Sequence, residues 1–251
     1  MFLEFLYPLH EQPGLGFLNV FRYITFRAAY AAVTALLIAF VFGPAVIRWL
    51  RHFRIGQQVR EDGPQTHLGK QGTPTMGGVL ILIAILVPTL LFGNLENRSV
   101  HVALWATVWL GLVGFLDDYL RVVKGLRKGL LGRYKLAGQI LVGVAVGAIV
   151  LAYPQTFLPP TITTVPFLKF EYIDFGILFV PFVILVITGS SNAVNLTDGL
   201  DGLAAGLVAL SGLALAGFCY VTGHARISDY LNILFLPEAG ELTVFCAALV
   251  G

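Results

Sequence analysis

Charge is what this sequence has least of. Of its 251 residues only 12% are Asp, Glu, Lys or Arg, while 57% are hydrophobic, and the mean hydropathy is +0.83. A soluble domain carries about 25% charged residues, so a water-soluble globule is excluded and a polytopic membrane protein is indicated. Cysteine is nearly absent: Cys219 and Cys246 both lie in apolar runs, which argues against a disulfide framework and for small buried hydrophobes. The net charge of +2 is too small, in so apolar a chain, for a nucleic-acid binder. His67 and His101 are isolated, and no Ser-His or Cys-His arrangement suggests a nucleophile. The N-terminal stretch MFLEFLYPLHEQPGLG has glutamates but no Lys or Arg. It therefore lacks the basic region of a cleaved signal peptide and is read as part of the mature protein. No period of 20–50 residues and no low-complexity tract is present.

What is there is a series of apolar runs, at 28–47, 76–92, 101–116, 136–153, 173–188 and 203–222, with a seventh starting near Leu242. About 20 apolar residues cross a bilayer, so six complete spans are expected and the seventh is cut short at Gly251. The expected fold is all-α, a single integral membrane domain over 1–251 whose C-terminal part is missing. Loops 48–75 and 117–135 hold 11 of the 16 basic residues. By the positive-inside rule both are cytoplasmic, and alternation puts 189–202 on the same side with the N-terminus outside. Arg22 and Arg27, at the outer end of the first span, count against this orientation. The outer segment 154–172 has turn prolines and rough alternation, the pattern of a short hairpin or amphipathic flap.

Three polar clusters fall on the expected cytoplasmic side. The first is the pair Asp117–Asp118 in GLVGFLDDYLR, where an apolar run ends in two adjacent carboxylates. Consecutive helical residues point about 100° apart, so one carboxylate faces a bundle cavity while the other faces a loop or a cation. The bland reading, a solvated helix end paired with Arg121 or Lys124, carries equal weight on the pair alone. The second is HLGKQGTPTMGG, residues 67–78. Thr73 and Pro74 suit a helix start there, and Lys70 beside exposed N–H groups makes an anion site. The third, SSNAVNLTDGLDGLAAG (190–206), repeats Asn192, Asn195, Asp198 and Asp201 every three residues with glycines interspersed. That pattern suggests a discontinuous or 3₁₀ segment lining a polar cavity. The basic loop 120–135 reads first as a loop beside anionic lipid and second as a phosphate binder. Carboxylates and amide oxygens without imidazole or thiolate suit Mg²⁺ or Mn²⁺ carrying substrate phosphate oxygens. A metal–phosphate complex beside a cationic helix start is the apparatus of phosphoryl transfer. A secondary transporter with a glycine-broken helix is the competing class, but it would place its site at mid-membrane between two repeat halves.

The motifs RxDGPxxHxxKxGTPTMGG (60–78), GFLDDY (114–119), GLxxRYKL (129–136) and NAVNLTDGLDGLA (192–204) resemble those of the phospho-N-acetylmuramoyl-pentapeptide transferases, within the polyprenyl-phosphate N-acetylhexosamine-1-phosphate transferases. The resemblance implies ten transmembrane helices, a homodimer in the bacterial inner membrane with its active site facing the cytoplasm, and Mg²⁺. It also implies transfer of phospho-MurNAc-pentapeptide from its UDP carrier to undecaprenyl phosphate, with lipid I and UMP as products. By position, Asp117 and Asp118 match the catalytic pair, Lys70 and Thr75 match substrate-binding residues, and Asn195, Asp198 and Asp201 match the nucleotide and metal motif. Asn195 would be a metal ligand with an acidic residue from a part of the family's sequence absent here. On that ground the 251-residue chain is expected to be inactive alone. A GlcNAc-1-phosphate transferase of the same superfamily is the alternative within the enzyme class.

Overall fold

The computed structural model describes residues 1–52, 76–126, 129–165, 168, 171–198 and 202–251, the side chains of 51 and 52 excepted. Three short elements, α1 (Phe2–Phe5) and 3₁₀ stretches over Tyr7–Glu11 and Gly16–Arg22, precede the bundle. The bundle consists of α2 (Ile24–His52), α3 (Gly78–Phe92), α4 (Arg98–Val122), α5 (Gly132–Ala152), α6 (Phe179–Thr197) and α7 (Leu203–Thr222). A short α8 (Ala225–Leu231) and the terminal α9 (Leu242–Val250) complete it. Five stretches, Ile24–Leu50, Arg98–Val122, Gly132–Ala152, Gly176–Thr197 and Leu203–Thr222, are long and apolar enough to cross a membrane. The 25 residues of α4 give roughly 37 Å of helix at 1.5 Å per residue, more than the ~30 Å of a hydrocarbon core. The protein is thus an all-α multi-pass membrane bundle. The expected second span appears as the 15-residue α3.

The helices meet through small residues, because in lipid there is no hydrophobic gain between helices and close backbone approach supplies the attraction. Ala28, Ala31, Phe92, Val244 and Ala248 form the core where α2, α3 and α9 cross. At Gly143 of α5 a Cβ would lie 2.8 Å from the Ile184 Cα of α6, so only glycine fits. The register of these contacts fixes the ends of the bundle. Leu80 sits against Gly43, Leu82 against Gly111, and Val113 against Gly138. The starts of α3 and α5 and the ends of α2 and α4 therefore share one end, here the site end, and the antiparallel α6 and α7 add the end of α6 and the start of α7.

The opposite end is held by a buried ion pair. Arg27, 1% exposed, donates to both carboxylate oxygens of Glu241 at 2.7 and 2.6 Å and to the Phe92 carbonyl at 3.0 Å. The Asn94 N–H donates to the same carboxylate at 3.2 Å. This accounts for the arginine that stood against the expected orientation: its charge is cancelled inside the protein, so it carries no topological signal. Between α5 and α6, β1 (Ile162–Thr164) and β2 (Tyr172–Asp174) pair antiparallel, Thr163 opposite Ile173. This is the expected hairpin, with its second strand starting where the expected flap ended. The Asp174 carboxyl accepts hydrogen bonds from Thr161 Oγ1 and the Gly176 N–H, which hold it below the usual carboxylate range. Because 172–174 are extended, α6 starts at Phe179 and not near 173.

Candidate functional site

At the site end, α4 carries the aspartate pair one turn before it stops at Val122. The pair is thus inside a helix, and the two side chains diverge. Asp117 turns to the loop that follows α4. Its Oδ1 accepts from the Leu130 N–H at 2.8 Å, and Arg121 donates to its two oxygens at 3.2 and 3.4 Å. Arg121 is one turn on, the spacing at which helical side chains of opposite charge meet. The loop can come this close partly because Gly129 has φ +57, and a Cβ there would collide with the Asp117 carboxylate. Asp118, partly buried, makes no hydrogen bond among the described residues. The charges acting on it are those of Arg121, Asp117 and Lys135.

Lys135 joins this pair to the asparagine ladder. It lies in the first turn of α5, and its Nζ donates to Asn195 Oδ1 of α6 at 3.3 Å. One turn deeper on α5, Gln139 is 1% exposed; its Nε2 donates to Ser191 Oγ at 2.9 Å and its Oε1 accepts from Asn192 Nδ2 at 2.9 Å. Asn192 Nδ2 also donates to the Thr188 carbonyl at 2.8 Å. The i, i+4 pair Lys135 and Gln139 therefore forms two rungs with Asn195 and with Ser191–Asn192, fixing the register of α6 against α5.

The expected break falls in the second half of the ladder. Asn192 and Asn195 lie on a continuous α-helix that runs to Thr197, not on a 3₁₀ or discontinuous segment. Three residues on an α-helix turn the side chain about 60° from alignment, so the two asparagines bond different α5 residues. The chain leaves the helix at Asp198 (φ −78, ψ 46), whose side chain is exposed, and re-enters one at α7 after Gly202 in the left-handed region (φ 81). The helix thus ends just before the first glycine of the ladder, and the expected discontinuity lies between α6 and α7, while the interhelical hydrogen bonds of Gln139 tie the helical part to α5. Lys70, Thr75, Asp201 and His67 lie outside the described residues. Met76 and Gly77, which lead into α3, are at the site end.

Two residues of this arrangement escaped the reading of individual clusters. Lys135 was counted with the loop cations, although the motif GLxxRYKL contains it. Gln139 was passed over inside an apolar run, where a lone amide is itself a signal because it must find a partner. Asp117, Asp118, Asn195 and Asp198 all offer hard oxygen donors, the type that suits Mg²⁺. Among the described residues no three His, Cys, Asp or Glu side chains gather closely enough to form a metal cluster. Oxygen donors of this kind suit an ion that takes further ligands from substrate and water, as Mg²⁺ does. Chemically, the site pairs anionic acceptors with two cations, Arg121 and Lys135, at one end of the bundle.

Comparison with known proteins agrees with this arrangement. Residues 100–247, more than half of the chain, match the model of glycosyl transferase family 4. Residues 70–82 match the phospho-N-acetylmuramoyl-pentapeptide-transferase signature 1. The chain is 51% identical over 242 residues to the phospho-N-acetylmuramoyl-pentapeptide-transferase of Gemmatimonas aurantiaca, covering 93% of this chain and 64% of that protein. The protein of the same name from a Geobacter species is 51% identical over 251 residues, covering all of this chain and 69% of that one. That of Thermodesulfovibrio yellowstonii is 46% identical with the same coverage. The chain thus spans about two thirds of the length of these relatives. Aspartate pair, α5 lysine and α6 asparagines occupy one end of a membrane bundle whose sequence matches these proteins over nearly its whole length, and the chain belongs to the phospho-N-acetylmuramoyl-pentapeptide-transferase family.

Proposed function

We propose that the protein transfers phospho-MurNAc-pentapeptide from its UDP carrier to undecaprenyl phosphate, producing lipid I and UMP for peptidoglycan synthesis. It acts in the bacterial inner membrane as a homodimer with the site end facing the cytoplasm. The observation that carries this reading is the convergence of Asp117, Asp118, Lys135 and Asn195 at one end of the bundle. Both substrates are phosphate esters, one of them soluble and one lipid, and a site at a membrane face is open to both phases. The richness of the 117–135 loop in Lys and Arg supports the cytoplasmic assignment.

In this reading Asp117 is the base. Its carboxylate is oriented by the Leu130 N–H and by Arg121, and it takes the proton of the lipid phosphate, whose oxyanion attacks the β-phosphate in line while the bond to the α-phosphate breaks and UMP leaves. Asp118, which no hydrogen bond among the described residues occupies, shares the work at the reacting phosphates. Lys135 offers its ammonium to diphosphate oxygens while Asn195 holds it in position. Lys70, Thr75, Asp198 and Asp201 bind the sugar nucleotide. Asn195 would hold Mg²⁺, which when bound neutralises charge on the diphosphate.

The test is release of UMP from UDP-MurNAc-pentapeptide in the presence of undecaprenyl phosphate, with and without Mg²⁺. Wild-type protein, in the full-length context, is expected to release UMP only with the ion. UDP-GlcNAc is expected not to replace the muramoyl substrate; if it does, the superfamily's other transferase activity is the correct one. Asp117→Asn should lower turnover by about 10²-fold or more with modest effect on nucleotide binding. Surviving activity would remove Asp117 from the base position.

A further inference from the structure

At the end of the bundle opposite the aspartate pair, α4 and α5 leave a groove of about 360 Å³ lined by Arg98, His101, Val102, Trp105, Ile149 and Tyr153. Arg98, His101, Val102 and Trp105 recur at helical spacing on one stripe of α4, and Ile149 and Tyr153 on one stripe of α5. Nearer the site end the two helices are joined where Trp109 Nε1 donates to the Gly138 carbonyl at 3.2 Å. Polarity in the groove is ordered along the helix axis. Arg98 and Tyr153 stand at its mouth, the guanidinium 4.2 Å from the ring centroid, and His101 lies one turn in. Trp105 lies about 10 Å below Arg98 at 1.5 Å per residue, stacked on Trp109 with centroids 6.0 Å apart.

Arg98 has no acidic partner among the described residues. Of the carboxylates near this turn of α4, Glu238 is engaged by Ser99 and Gln155, and the exposed Glu96 forms no ion pair with Arg98. A guanidinium at a membrane boundary without a protein anion is stabilised by a phosphate, for which its planar fork is suited. The aromatic rings and aliphatic side chains below it match an acyl chain, and Trp and Tyr favour this depth of a bilayer. We propose that this groove binds one anionic glycerophospholipid of the leaflet opposite the aspartate pair, its phosphate on Arg98 and His101 and an acyl chain along Trp105, Val102 and Ile149. The Tyr153 ring holds the guanidinium over the phosphate, so the site combines charge recognition with chain recognition. It lies at the other membrane face from the proposed reaction and is independent of it.

The experiment is native mass spectrometry of the purified protein after exchange into micelles doped with equal amounts of phosphatidylglycerol and phosphatidylcholine of the same chains. Wild-type protein is expected to retain one phosphatidylglycerol in preference to phosphatidylcholine. Arg98→Gln should reduce that retention about fivefold, the equivalent of ~1 kcal/mol for one interfacial cation, and His101→Gln and Trp105→Ala should also weaken it. Arg226→Gln removes the same charge from an exposed position at the same end and should change nothing. Equal retention of the two lipids by wild-type protein would overturn the proposal, and that measurement stands even if a variant fails to fold. Equal losses in Arg98→Gln and Arg226→Gln would also overturn it, since the effect would then be surface charge alone. So would displacement of the lipid by an equal concentration of glycerol 3-phosphate, which would make the headgroup the whole ligand.

Discussion

Replacing Gln139 by leucine tests whether the α5–α6 rungs set the site. Leucine is close in volume to glutamine, so the packing of a residue that is 1% exposed is retained while two interhelical hydrogen bonds are lost, to Ser191 and from Asn192. Such bonds average about 0.6 kcal/mol within a membrane, with about 1.7 as the upper value measured. Asn192 keeps its bond to the Thr188 carbonyl, so its amide is not orphaned and the loss should stay near the average, about 1.2 kcal/mol in all. Equilibrium unfolding in mixed micelles measures it. A double-mutant cycle with Asn192→Ala should return a coupling of about 0.6 kcal/mol, one bond's worth. Turnover should fall further than stability, by about tenfold to 10²-fold, because Lys135 and Asn195 lie one turn away and catalysis is sensitive to displacements of about 1 Å. A coupling near zero, or a Gln139→Leu variant as active as wild type, would refute the idea that these rungs position the site.

Two further outcomes follow from the packing. Arg27→Met leaves Glu241, whose side chain is 12% exposed, without its cation and should destabilise the protein by about 3–5 kcal/mol, whereas Arg27→Met with Glu241→Leu should return to within ~1 kcal/mol of wild type in the same unfolding assay. Gly143→Val places a side chain against the Ile184 backbone and should cost about 1–3 kcal/mol; it should also lower turnover through the shifted α6, read as UMP release alongside stability.

Much of this molecule was legible in its sequence because the membrane permits so few structures. Apolar length gave the spans, since backbone groups in hydrocarbon can be satisfied only within helices or closed barrels. The concentration of polar residues in 117–118 and 190–206 pointed to one end of the bundle because such residues are costly elsewhere. What was not legible depended on partners far away in the chain. Arg27 looked like a topological signal until Glu241, 214 residues on, was found to cancel it. The break in the ladder was legible from its glycines, but its place, after Thr197, and the bonds that tie Asn192 and Asn195 to Gln139 and Lys135 of α5 depended on a partner helix. The divergence of Asp117 and Asp118 followed from the helical turn, but that Asp117 faces the Leu130 N–H required the path of the loop, set by Gly129 at positive φ.

The central claim, that the aspartate pair, Lys135 and the α6 asparagines share one sugar-nucleotide ligand, is tested most directly by photolabelling with an azido-UDP analogue of the muramoyl substrate and mapping the labelled peptides. The account predicts labels within 117–135 and 192–202, competed by unlabelled UDP-MurNAc-pentapeptide. Competable labels confined to 93–101 or 223–241, at the other membrane face, would contradict it.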